Sequence, residues 1–274
     1  MNTILFGNGL NMLSNNDSWD QLVKRIETEP SESKIPNTIQ FDVKLYSMDD
    51  FTINSEKELK KAICKEMKNY QSNEIYDIIA ELRLEHYITT NYDFTIQPAL
   101  MKAGFDVKEG YHKETTYSIN RYVEYEDDNT KNKRVWYIHG ELNRPNSIML
   151  GYKHYCDYTG KIIEHISNSC WNEQTDLEFT TVLSWIDLFF CSNVYIMGLG
   201  LYYEEIDLWW LLSYRKRLRK LKPNVCQNNI VYFGECESGK RDLLKSLDVN
   251  VVSSSKNEYI DRYRDYIDII SKRI

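Results

Sequence analysis

The sequence predicts an α/β protein built on a Rossmann-like, mostly parallel sheet with helices on both faces. Short apolar runs alternate along the chain with segments of helical period, the pattern of repeated βα units. Several of those runs end in glycine or a polar turn, and in open α/β sheets the carboxyl ends of strands are where ligands bind. With 274 residues, 42% of them hydrophobic, there is enough apolar material for a substantial core. The prediction is a single domain over 1–274 with a helical insertion at about 29–75 and a small β excursion at about 103–134.

Thr3 to Phe6 reads as a buried first strand closed by Gly7. A helix is expected near Trp19, capped by Asp17 or Ser18, with Trp19, Leu22, Val23 and Ile26 on one face. Glu29 to Ser55, with Pro30 and Pro36, reads as irregular. Helices follow over Glu56 to Tyr70 and Ser72 to Glu85, then a strand at Tyr87 to Thr89. The next helix, Asp93 to Lys102, contains Pro98 and is expected to be short or kinked. Phe105, Val107, Tyr117, Ile119, Tyr122, Val123 and Tyr125 favour strands, and Glu126 to Lys133 a charged loop. Val135 to Ile138 is a strand, and Gly151 to Ser192 looks mostly helical. Asn193 to Met197 is a strand, and a helix from about Glu204 to Lys220 is stopped before Pro223. Strands at Ile230 to Phe233 and Val249 to Val252 flank a helix from Gly239 to Leu247, and a last amphipathic helix runs from about Asn257 to Lys272.

Composition narrows the function. A net charge of -7 and a pI of about 5.4 argue against nucleic acid as the main partner. The basic run Arg215 to Lys220 reads as a solvated helix end, where cations are favoured. Six scattered cysteines form no CxxC pair, which suggests no zinc ribbon and, with no signal peptide visible, a reduced cytoplasmic setting. The most apolar stretch, Val182 to Leu201, is broken by Asp187, Ser192 and Asn193, so no membrane span is expected. The 21 tyrosines suit half-buried surfaces, consistent with self-association or with a tyrosine-rich core.

Four strand ends carry the candidate chemistry. After the first strand, Gly7-Asn8-Gly9-Leu10-Asn11 offers a phosphate cradle of backbone N–H groups; the alternative is a tight turn with no ligand. The third glycine of the dinucleotide fingerprint is replaced by Met12, while Asn8 and Asn11 add amides within reach of a ribose or phosphate. In Thr89-Thr90-Asn91-Tyr92-Asp93, Asn91 could position a water or hold ribose hydroxyls, or be a turn residue. Thr90 and Asp93 are further candidate contacts, Asp93 alternatively the cap of the next helix. His139, beside Gly140, can accept a proton near neutral pH and is a candidate catalytic residue. Gly198-Leu199-Gly200 reads as a second cradle. Asp207, too deep in its helix for a cap, is either solvated or a partner for an adenine or ribose. His86, His112, His154 and His165 show no comparable setting and no metal-ligand spacing, so no metal is expected. The strand ends are expected to converge on one dinucleotide.

This ordered set, Phe6-Gly7-Asn8-Gly9, Thr89 to Asp93, Ile138-His139-Gly140 and Met197 to Gly200, resembles the SIR2-like domain, in the branch found in bacterial anti-phage defence. The resemblance implies a Rossmann-like domain that binds NAD as substrate, with no further cofactor, and cleaves its nicotinamide–ribose bond. It gives Asn91 the task of aligning the water or a ribose hydroxyl and His139 that of general base. Where that family reads Gly-Ala-Gly followed by a small residue and Ser, Asn8 and Asn11 replace Ala and Ser, a variant that also resembles the abortive-infection AbiH group. The cysteine module of deacylating sirtuins is missing, so deacylation is not implied. Nicotinamide is cationic in NAD and leaves neutral, so this cleavage needs no general acid, unlike ordinary glycoside hydrolysis. The expected role is a defence effector that depletes NAD, held off by homo-oligomerisation or a separate sensor protein. The alternative is a nucleotide-binding sensor or scaffold without turnover.

Overall fold

A computed structural model of the chain describes residues 1–15, 36–52, 54–111 and 116–274. The expected helix at Trp19 to Ile26, its caps Asp17 and Ser18, Pro30 and His112 lie outside those residues. Eight strands are present: β1 Asn2–Phe6, β2 His86–Thr89, β3 Asp106–Tyr111, β4 Tyr122–Glu126, β5 Asn132–Tyr137, β6 Asn193–Met197, β7 Ile230–Phe233 and β8 Val249–Val252. They form one sheet in the order β3-β4-β5-β2-β1-β6-β7-β8. The stretch from β5 to β8 is parallel throughout. Ranked by chain order, those strands read 3-2-1-4-5-6, the Rossmann order, so the direction of winding reverses between β1 and β6. Strands β3 and β4 extend the β5 edge as an antiparallel pair, the expected β excursion.

Ten helices are seen among the described residues: α1 Met12–Asn15, α2 Asn37–Tyr46, α3 Ser55–Met67, α4 Glu74–Glu81, α5 Ile96–Lys102, α6 Tyr152–Ser167, α7 Trp185–Cys191, α8 Ile206–Leu221, α9 Ser238–Ser246 and α10 Tyr259–Ser271. Every residue of β2 and β7 is buried, which requires cover on both faces. Successive strand residues point to opposite faces, so the sheet feeds two cores. Leu5, Ile88, Trp136 and Ile196 meet α6, α7, α8 and α9. Ile4, Phe6, Tyr87, Tyr137 and Met197 meet α4, α5 and α10. A smaller cluster seats Ile63, Cys64 and Met67 of α3 on Tyr92, Leu142, Ile148 and Leu150, above the carboxyl ends of the strands. None of the described helices is long and apolar enough to cross a membrane.

Five expectations shift. Residues 37–46, expected to be irregular, form α2. Arg215, expected on a solvated helix end, is buried and donates to Asn228. Tyr117 and Ile119 are not in a strand; β4 starts at Tyr122 and Ile119 enters the core from a loop, its carbonyl accepting from the Trp185 N–H. Residues 168–184 are not helical: the side chains of Ser169 and Asn172 accept from Trp171 N–H and Gln174 N–H, ending α6 in turns, and Ser184 caps a new start at α7. The helix expected from Asp93 begins only at Ile96, because Asp93 Oδ1 takes the Thr95 N–H in a local turn. Pro98 then falls in the first turn, where its missing N–H removes no helical bond.

Ile196 lies on β6 between β1 and β7, fully enclosed. Ile196→Ala is expected to lower unfolding free energy by about 2–5 kcal/mol in urea titration, while Leu243→Ala, on the exposed side of α9, changes it by under about 0.5 kcal/mol.

Candidate active site at the switch point

The carboxyl ends of β1, β2, β5, β6 and β7 open into one cavity of about 460 Å³, within the size range of small-molecule sites. Its floor brings together Asn8, Gly9, Thr90, Asn91, His139, Gly198, Leu199 and Gly200, all singled out from sequence. Its outer wall comes from Phe41 of α2, Ile63 and Met67 of α3, and Tyr259 and Tyr263 of α10. Gly7, Asn11 and Asp93 do not line it.

The first glycine turn serves the protein more than a ligand. A Cβ on Gly9 would lie 2.8 Å from the Gly198 Cα, and one on Gly198, at φ +62°, would lie 2.1 Å from Leu10 Cδ1. The loops after β1 and β6 thus cross backbone against backbone, and only glycine fits. The N–H groups expected to cradle phosphate are already used: Gly9 donates to the Gly198 carbonyl at 2.7 Å, Gly7 to Met197, Leu10 to Gly7 and Asn11 to Asn8. The N–H groups of Leu199 and Gly200 make no hydrogen bond among the described residues, so the second turn is where donors remain.

Asn11 is fully buried (0% exposed) and works behind the cavity rather than in it. Its Nδ2 donates to Asp93 Oδ2 at 2.8 Å and to Asn8 Oδ1 at 3.1 Å, and its Oδ1 accepts from the Tyr76 hydroxyl at 2.7 Å. The Tyr76 oxygen in turn accepts from Asn91 Nδ2 at 3.4 Å. Asp93 is buried too, with Oδ1 taken by the Thr95 N–H and hydroxyl. Burial raises its pKa, against the hydrogen bonds from Thr95 and Asn11 that favour the ionised form. Asn11 and Asp93, expected to touch a nucleotide, therefore position the residues that do line the cavity. The Asn91 amide oxygen makes no hydrogen bond among the described residues and lines the cavity with Thr90.

His139 follows β5, almost enclosed, with its ring edge-on to Tyr155 at 5.2 Å. Its Nε2 lies 2.9 Å from Asp207 Oδ2. Asp207 is 0% exposed, so it is neither the solvated helix residue nor the nucleotide partner that sequence allowed. It points inward from the first turn of α8 and holds the imidazole. Burial pulls the His139 pKa down, but the charge and hydrogen bond of Asp207, joined by the charge of Glu205, leave it raised. With Nε2–H given to Asp207, the neutral ring keeps its lone pair on Nδ1. Glu205, just before α8, also lines the cavity, and burial pushes its pKa up to about 7. The double acid Glu204-Glu205 shortly after a glycine turn was a hint of this pair; Asp207, expected too deep in its helix for a cap, lies in the first turn because α8 starts only at Ile206.

The other described histidines are structural. His154 Nδ1 accepts the Leu150 and Gly151 N–H groups, both at 3.0 Å, and its Nε2 donates to Glu56 at 2.9 Å. Glu56 also meets Lys60 at 2.7 Å. These contacts tie α3 to the start of α6 and hold the Glu56 carboxyl down at about 2, chiefly through the His154 bond. His86 accepts from Trp136, and His165 meets Asp187. Among the described residues no cluster of His, Cys, Asp and Glu could hold a metal ion.

Strand order and a cavity across the switch point define a Rossmann-like α/β protein with its cavity at the carboxyl ends of the strands. A sequence model of the SIR2-like domain matches residues 85–183, from the start of β2 to the approach of α7. That stretch is similar to a family of generally NAD-dependent enzymes, and it carries Thr90, Asn91, Asp93 and His139. No curated protein matches the chain.

A histidine raised by a partner adds stability that is complete below its unfolded value of about 6.5 and is lost as pH climbs through the folded value. Asp207→Asn is expected to move the His139 titration midpoint downward in ring-proton NMR. Its stability deficit against wild type should shrink as pH rises above about 6.5 in urea unfolding.

Proposed function

We propose that the protein hydrolyses the nicotinamide–ribose bond of NAD+ in this cavity and acts as an abortive-infection effector that depletes NAD in anti-phage defence, with a first motif of the AbiH-like kind. The observation that carries the reading is the meeting of Asn91 and His139, from the ends of different strands, on one cavity beside two glycine turns. The similarity of residues 85–183 to SIR2-like domains supports NAD as the ligand. NAD is substrate here, with no further cofactor. Asn91 presents an amide oxygen to a water or ribose hydroxyl, and His139, oriented by Asp207, serves as general base on Nδ1. Gly198, Leu199 and Gly200 offer open N–H groups to phosphate. The leaving ring departs neutral, so the chemistry needs positioning and charge stabilisation more than acid catalysis.

Such an activity has to be restrained in a resting cell, and the proposal places that control in homo-oligomerisation or a separate sensor protein, in the cytoplasm. One observation favours a sensor without turnover instead: His139 is only 2% exposed and already bonded through Nε2.

Free nicotinamide, measured by chromatography after incubating the protein with NAD+, separates the two. Wild type is expected to release nicotinamide under an activating condition, and Asn91→Ala and His139→Ala to slow release by about 100-fold or more. Stable NAD+ binding without product under every condition, or undiminished release by both variants, would defeat the hydrolase reading.

A further inference from the structure

Glu205 is a half-buried carboxylate in the cavity wall, two residues ahead of the aspartate that holds His139. Its Oε2 is buried and has no hydrogen-bond partner among the described residues. A carboxylate oxygen withdrawn from water without a donor costs free energy, and such an orphan in a cavity wall calls for a donor from a ligand or water.

Four neighbouring donors are engaged elsewhere. His139 gives Nε2 to Asp207. Lys240, on α9, is turned to the Gly200 carbonyl. The Tyr92 hydroxyl donates to the Met149 carbonyl at 2.5 Å, and that of Tyr232 to the Leu199 carbonyl at 3.1 Å. The charges acting on Glu205 are those of His139, Asp207 and Lys240, and its own charge is felt by Tyr92, Tyr155 and Tyr232. Those four side chains each have an acceptor of their own, and Glu205 itself lines the cavity beside the Tyr155 ring.

We infer that Glu205 is a second catalytic residue: it takes the proton of the attacking water and steadies the positive charge on the ribose, which leaves His139 to act on a ribose hydroxyl. The inference rests on the NAD+ hydrolysis reading. The bond between C1′ and the pyridinium nitrogen breaks with its electron pair going to the nitrogen, which becomes neutral. The water oxygen bonds to C1′, and one of its protons passes to Glu205, which releases it to solvent after ADP-ribose departs. Positive charge moves from ring to sugar during this step, and a carboxylate fixed beside the sugar favours the transition state over the bound substrate. A carboxyl raised to about 7 can take up and give back a proton near neutral pH.

The test compares wild type, Glu205→Gln and Glu205→Asp by nicotinamide release across pH, with calorimetry for NAD+ binding. Glu205→Gln is expected to lower kcat by about 100-fold or more, with KM and affinity little changed. It should also lose the fall in kcat that wild type shows as pH drops below about 7. Glu205→Asp should restore part of the rate and keep that fall. A Glu205→Gln enzyme with wild-type kcat and pH profile overturns the role of Glu205 alone. A wild type that releases no nicotinamide under any activating condition overturns the hydrolysis reading and this role with it. If Glu205→Gln does not fold, Glu205→Asp decides: reduced kcat with the acid limb retained supports the role, and wild-type kcat refutes it.

Discussion

The site depends on one buried side-chain amide. Asn11 spends both amide hydrogens and its oxygen on Asn8, Asp93 and Tyr76, so the ends of β1 and β2 and the helix α4 share a single hub. Hydrogen bonds in such a setting are strong because water is excluded, and any member left unpaired is costly. That cost makes the arrangement all-or-none, and Asn91 inherits its orientation through Tyr76. The backbone crossing of Gly9 on Gly198 locks the other side of the switch point. Together they turn two flexible loop ends into a rigid floor for the cavity.

On that floor the charges are arranged as a coupled set. Asp207 is enclosed and pairs with His139, while Glu205 sits close enough for each of the three to feel the others. An enclosed imidazole and carboxylate bonded to each other and a second carboxylate at the cavity share protons as a group. The group carries two acids and one base beside the cavity. A carboxyl raised to about 7 can give or take a proton near neutral pH.

Much of this was readable beforehand. Ile4, Ile88, Ile196 and Ile230 belong to short apolar runs closed by turns, and their length and alternation with helical segments fit interior parallel strands. The residues that line the floor were found because each follows one of those strands. The failures have a common cause. A sequence shows that Asn11 and Asp207 are polar and near a turn, but not which way they face, and a buried polar hub looks the same as a ligand contact until the partners are in place. Tyr117 and Ile119 misled because aromatic and β-branched residues signal burial as much as strand; both are buried or half-buried in a loop. Gly7 and Gly9 had a reason to be glycine, yet the reason was another loop.

The helices α2 and α3 that wall the cavity are fastened to the rest by the small cluster around Ile63 and Met67 and by the Glu56–His154 clasp. The clasp lies away from the floor, and the cluster rests on Tyr92, next to Asn91. The floor of the cavity and this part of its wall come from different segments of the chain. Substitutions at Phe41 or Ile63 would therefore reshape the wall while the glycine crossing of the strand ends stays as it is.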